Sequence, residues 1–218
     1  MSQSLLNEAS VLDRLAQARA AGDEGSGPPG AHTWALLEQL RGQAGRDKEA
    51  TIALLNALFA VGTPPSRLHG TTSGMLLATT TTGPLDAAVK VLTSVWMPWQ
   101  GKRFDQDAAS GDNRMTGSSS LVGRLVWPLY SMRPNDGERA AFDFTTYVEP
   151  GKENPDRDVL VIDYSDIPDN PTLVIRSIRD ELVELTPGAY LGKIFFRMPK
   201  LSGHDNFERI GFFALRTP

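Results

Sequence analysis

PWQGKRFDQDAASGDNRM, residues 98–115, is the stretch on which the reading of the whole chain turns. It holds a Gly101-Lys102 pair and the aspartates Asp105, Asp107 and Asp112. It therefore reads as a phosphate loop, a calcium loop, or strands joined by a polar turn. A phosphate loop needs G-x-x-x-x-G-K-[ST], so that backbone amides cradle the anion and a hydroxyl reaches the metal. Trp96 stands where the first glycine belongs, and Arg103 where the hydroxyl belongs. A calcium loop counted from Asp105 keeps Asp107. Ala109 and Ser110 then fill a ligand position and the turn-glycine position, and Thr116 replaces the bidentate glutamate. What remains is a strand, MPWQGKRF, then a polar turn, and a short edge at NRM.

Strand character continues on both sides. Upstream, RLHGTTSGMLLATTTT (67–82) mixes threonine and glycine with apolar residues. Further runs fall near 97–105, 120–131, 140–149, 157–164, 176–185, 188–197 and 207–216, each bounded by turn chemistry such as RPNDGE, SDIPDNP or LTPG. That makes eight strands at short spacing, the pattern of an up-and-down antiparallel barrel. PLDAAVKVLTSVW (84–96), with Pro84 in its first turn, is the one helix expected among them.

Before Pro64-Pro65 the period changes. Leu5, Ala9, Leu12 and Ala16 recur at helical spacing. GDEGSGPPGAH (22–32) breaks the pattern, and two more helices follow, near 33–43 and 47–61, with Asp47 as N-cap. Trp34, Leu37 and Leu40 on one, and Ile52, Leu55, Leu58 and Phe59 on the other, must pack on something. The expected organisation is a helical N-terminal extension, 1–65, packed on a barrel domain, 66–218.

Composition narrows the function classes. A net charge of −4 disfavours nucleic-acid binding, which needs clustered Lys and Arg. The absence of cysteine excludes disulfides and thiolate chemistry. The N-terminal stretch lacks the apolar core of a secretory signal, and no apolar run approaches a membrane span. A cytoplasmic protein is the expectation. His32, His69 and His204 stand far apart, so no local metal motif exists, and no G-x-S-x-G elbow marks a hydrolase. No metal and no cofactor are expected.

LHGTTSGMLLATTTTGPLDAAVKVLTSVWMPWQGKRF (68–104) resembles the GXWXG-type domain of bacterial proteins. VLVIDYSDIPDNP (159–171), IRDELVELTPGAYLGKIFF (178–196) and IGFFALR (210–216) resemble the domain of unknown function that follows it. Thr72 stands where the name-giving Trp would be. The resemblance implies a calycin-like, lipocalin-like β-barrel with a small-molecule cavity, and it brings no catalytic residues. The expected fold class is therefore mainly β with α: an eight-stranded antiparallel calycin-like barrel preceded by about three helices.

Period-two alternation gives each strand two faces, and either could line the lumen. Candidate ligand-binding residues are Trp99, Trp127, Phe144, Tyr147, Tyr164, Arg179, Glu181, Tyr190 and Lys193. The phenols suit an apolar lumen with one hydrogen bond to give. The charged residues would orient a ligand if they converge inside, and are cross-strand ion pairs if they do not. Asp180 and Glu181 are adjacent in a strand and point oppositely, so they form no local acid–base pair.

Three functions follow. The chain binds a small hydrophobic metabolite in a lipocalin-like cavity. Alternatively it is a cofactor-independent cyclase or isomerase of a polyketide-like or terpenoid-like substrate, working by holding a chain in a reactive shape. Or it is a structural module, with the N-terminal helices as the interface of a homodimer.

Overall fold

The structure is a computed structural model, described for residues 5–22, 28–80, 99–117, 130–172, 174–198 and 206–218. The helix expected at 84–96, residues 120–129 of an expected strand, Trp96, Trp127 and His204 lie outside the described residues.

Three helices come first: α1 (Glu8–Ala21), α2 (Ala31–Ala44) and α3 (Lys48–Ala60). Asn7 and Ser10 cap the start of α1 reciprocally, each side chain accepting from the other's backbone amide. That satisfies two amides the helix itself leaves bare. Asp47 takes the N-cap of α3, as its place in the sequence predicts, and accepts from Ala50 N at 3.0 Å. Leu15, Leu37, Leu40, Leu55, Leu58 and Phe59 are buried along one face of each helix. Each such side chain contributes about 1.5–3 kcal/mol.

The strands are β1 (Gly70–Thr71), β2 (Ser73–Thr79), β3 (Trp99–Asp105), β4 (Ser110–Met115), β5 (Arg133–Asn135), β6 (Glu138–Pro150), β7 (Asp158–Asp163), β8 (Ile178–Thr186), β9 (Ala189–Met198) and β10 (Asn206–Arg216). They form one antiparallel sheet in the order β1-β3-β4-β6-β7-β8-β9-β10-β2, with β5 off this path and paired to β6. Among the described residues the sheet thus has ten strands, against the eight expected from the sequence. SGDNRM is a full strand, β4, and not a short edge. Asp136-Gly137, both at positive φ, makes a two-residue turn that adds β5 as a hairpin partner of β6. Thr72 splits the first expected strand into β1 and β2.

Thr72 is also the seam of the sheet. β1 pairs with β3 and β2 with β10, so the run 70–79 belongs to both ends of the strand order. Between them Thr72 N donates to Lys102 O at 2.8 Å, and Thr72 Oγ1 accepts from Lys102 N at 3.1 Å. The sheet is nearly closed into a barrel.

Alternation then builds two cores. On the outer face Met75, Leu77, Val159, Val161, Val183, Leu185, Leu191 and Phe212 pack with the helices. On the inner face Phe104, Met115, Phe144, Ile162, Tyr164, Ile178, Leu182, Ile194 and Phe213 pack with one another, and no residue of α1, α2 or α3 belongs to that cluster among the described residues. The second set is the lumen. Among the described residues no helix is long and apolar enough to cross a membrane.

Candidate functional site

Among the described residues the lumen contains a buried polar cluster: Lys102 from β3, Asn113 from β4, Asp180 from β8, and Tyr164, which directly follows β7. Alternation places them. Lys102 shares a face with Phe104, Asn113 with Met115, and Asp180 with Ile178 and Leu182. Trp99 would point outward by the same count. A bulge corrects it: Trp99 pairs with Met115 and Gly101 with Arg114, leaving Gln100 as the extra residue. Bulges re-aim side chains in this way, and here Trp99 Nε1 reaches Asn113 Oδ1 at 3.1 Å.

Lys102 Nζ sits 3.0 Å from Asp180 Oδ2 and 2.9 Å from Asn113 Oδ1, and also donates to the Tyr164 hydroxyl. Tyr164 in turn donates to Asp180 Oδ2 at 3.0 Å. Asn113 Nδ2 donates to Phe142 O at 3.0 Å and to the Tyr164 hydroxyl at 3.3 Å. The ammonium is ringed by aromatic faces, with Trp99, Phe144, Tyr164 and Phe213 centroids 5.2–5.8 Å away. Burial lowers the Lys102 amine below its usual value, against the pull of the Asp180 carboxylate. Burial, followed by the same carboxylate, holds the Tyr164 phenol well above its own.

One valence is left over. Asp180 Oδ1 is buried and has no hydrogen-bond partner among the described residues. Asp180 lines a small cavity together with Leu76, Trp99, Lys102, Asn113, Ile178, Ile194 and Phe213. The cavity measures 20 Å³, room for about one water.

The residues expected from the sequence divide. Phe144 and Tyr164 meet in the lumen, edge to face at 5.7 Å, beside the polar cluster. Trp99 packs edge-on against Phe213 at 6.0 Å. Tyr190 is buried in the lumen core opposite Glu184, four residues along β8 from Asp180 and so about 13 Å away along the strand. Tyr147 is exposed on the outer face, donating to Asp163. Trp127 lies outside the described residues.

Arg179, Glu181 and Lys193 are on the helix side of the sheet, alternating with the lumen residues, and do not converge inside. Glu181 accepts from Arg179 Nη2 at 2.9 Å and from the Lys152 amide at 2.9 Å. Lys193 Nζ holds Glu153 at 2.8 Å and Asn154 at 2.9 Å, over the Phe59 ring of α3. Arg209 reaches the same Glu153 carboxylate and Asn56. These side chains pin the loop between β6 and β7 against the sheet and α3, which is the cross-strand ion-pair role.

Sequence reasoning missed Lys102, Asn113 and Asp180 as a site. The signal was present for Asp180: a lone carboxylate in the apolar series Ile178-x-Asp180-x-Leu182. Among the described residues no group of three or more His, Asp or Glu is placed to hold a metal ion.

No family model matches this chain, and no curated protein matches it. Among solved structures, it is similar to a protein from Thermomonospora curvata, with 15% identity and a TM-score of 0.44 over 84% of this chain and 97% of that one.

Proposed function

We propose that the barrel lumen binds a small, largely apolar organic molecule. The observation that carries this reading is Asp180 Oδ1, a buried carboxylate oxygen without a partner among the described residues, on the wall of a mostly apolar cavity. Leaving such a group bare costs about 1–3 kcal/mol or more, and unlike Glu181 Oε2, which is also bare but on the helix side, Asp180 lines a cavity. A ligand placed there would return that cost.

The cavity must widen to admit it. An apolar void that takes benzene measures about 150 Å³, against 20 Å³ here. Leu76 and Trp99 are the partly exposed members of the wall, so entry is assigned to their side of the barrel.

A bare carboxylate oxygen is also what a general base requires. A second reading, isomerisation or cyclisation of the bound molecule, rests on that feature, with Asp180 taking the proton and the aromatic walls holding the chain.

Native mass spectrometry of freshly purified protein, followed by denaturation and identification of released compounds, tests the binding reading. A stoichiometric organic ligand supports it. A clean apo mass, together with no shift in melting temperature across a panel of small apolar compounds, overturns it.

A further inference from the structure

We infer that the lumen selects neutral molecules carrying a hydrogen-bond donor, such as an alcohol or phenol, and rejects carboxylates and ammonium ions. This rests on the lumen being a binding site and deepens that reading to a chemical class.

Selectivity follows from where the protons of the cluster go. An ammonium has three to give. Those of Lys102 go to Asn113 Oδ1, Asp180 Oδ2 and the Tyr164 hydroxyl. The single proton of the Tyr164 phenol goes to Asp180 Oδ2. Asn113 Nδ2 has two protons, directed to Phe142 O and to Tyr164. Trp99 Nε1 has one, and it goes to Asn113 Oδ1. Every donor in the cluster is committed. The free valence is an acceptor, Asp180 Oδ1.

A ligand must therefore bring the proton. A hydroxyl placed in the cavity completes the carboxylate with a charge-assisted hydrogen bond. A ligand carboxylate would meet the Asp180 carboxylate and find no donor to offset its desolvation, which is rejection by an unpaired charge.

Cations fare no better. The ring of Trp99, Phe144, Tyr164 and Phe213 that would welcome an ammonium is already filled by that of Lys102. Lys102 and Asp180 balance one another at 3.0 Å, so neither sign of ligand charge gains a net partner.

The test is a titration of the isotope-labelled full chain with phenol, anisole, benzoate and benzylammonium at neutral pH, read from the tryptophan indole resonances. Phenol and anisole share a ring and differ in the donor. Phenol is expected to bind about tenfold or more tighter than anisole, the effect of one hydrogen bond to a charged group. Benzoate and benzylammonium should give no saturable shift. Asp180→Asn, which keeps the shape and removes the charge, should narrow the phenol–anisole gap. The wild-type comparison stands without that variant if it does not fold. Equal binding of phenol and anisole, or benzoate binding as tightly as phenol, overturns the inference and leaves lumen binding intact. No saturable shift with any of the four sinks the inference together with the reading beneath it.

Discussion

Lys102 on β3 and Asp180 on β8 are far apart in sequence and meet inside the barrel with Nζ and Oδ2 3.0 Å apart. Both side chains are nearly sealed from solvent, at 3% and 5% exposure. Their strands do not pair with one another: β4, β6 and β7 separate them on one side, and β9, β10 and the run 70–79 on the other. The contact therefore spans the lumen. It marks where an otherwise apolar core has been made polar.

Removing one partner is expected to cost far more than removing both. Asp180→Ala strands a buried ammonium and should destabilise the fold by about 3–5 kcal/mol. The double variant Lys102→Met, Asp180→Leu fills the same space with apolar groups and should recover most of that loss. Urea unfolding of the two singles and the double gives the coupling. If Asp180→Ala lies within about 1 kcal/mol of wild type, as an exposed pair would, the pair is not holding buried charge.

The four tyrosines make a second prediction. Burial and then Asp180 hold Tyr164 well above the ordinary phenol value. Burial and then Glu184 raise Tyr190, burial raises Tyr130, and Tyr147 is pushed up to about 12 by partial burial and then Asp163. The folded chain thus keeps protons that the unfolded chain releases above pH 10. The stability these groups lend is complete below pH 10 and declines as pH climbs through the folded values. Lys102 runs the other way. Its folded amine is depressed, so its contribution to stability rises with pH up to the ordinary 10.5 and is level beyond. Phenolate absorbance should therefore stay near zero at pH 10 in the folded protein and appear together with unfolding at higher pH. Half of the phenols ionising near pH 10 in folded protein would sink this account.

The strand runs were legible because each carries period-two alternation and turn residues at its ends. The strand readings at 140–149, 157–164, 176–185, 188–197 and 207–216 lie on β6 to β10 with small shifts at the ends. The count failed where local pattern gives way to pairing. Thr72 interrupts a strand through its own hydrogen bonds to Lys102, and SGDNRM is too polar to announce itself as β4. The candidate site was legible only in part. Phe144 and Tyr164, legible as large residues on apolar strands, lie in the inner cluster. Arg179, Glu181 and Lys193 alternate with the lumen residues and lie on the helix side, a distinction that period-two alternation alone leaves open because it gives two faces without saying which lines the lumen. Trp99 faces the lumen through a one-residue bulge, which alternation cannot foresee.

That bulge supplies the last prediction. Gly101 has φ 142, and a Cβ there would lie 2.1 Å from Thr72 O and 3.0 Å from Gly74 N. An alanine must push the 70–79 run away from β3. The contacts at risk are Thr72 N to Lys102 O at 2.8 Å, Lys102 N to Thr72 Oγ1 at 3.1 Å, and Arg114 Nη1 to Thr72 O at 2.6 Å. Gly137, in the β5–β6 turn, is the control. It too has positive φ, at 81, but a Cβ there meets nothing within 4 Å. Gly137→Ala should therefore cost only backbone strain, about 1–2 kcal/mol. Gly101→Ala adds a steric term of about 1–3 kcal/mol and should open the seam beside Lys102. Urea midpoints rank the two variants, and hydrogen exchange at the Thr72 and Lys102 amides reports the seam directly. Faster exchange at those two amides in Gly101→Ala alone is the expected outcome. Equal midpoints with unchanged exchange would mean that the barrel is not held shut at Thr72.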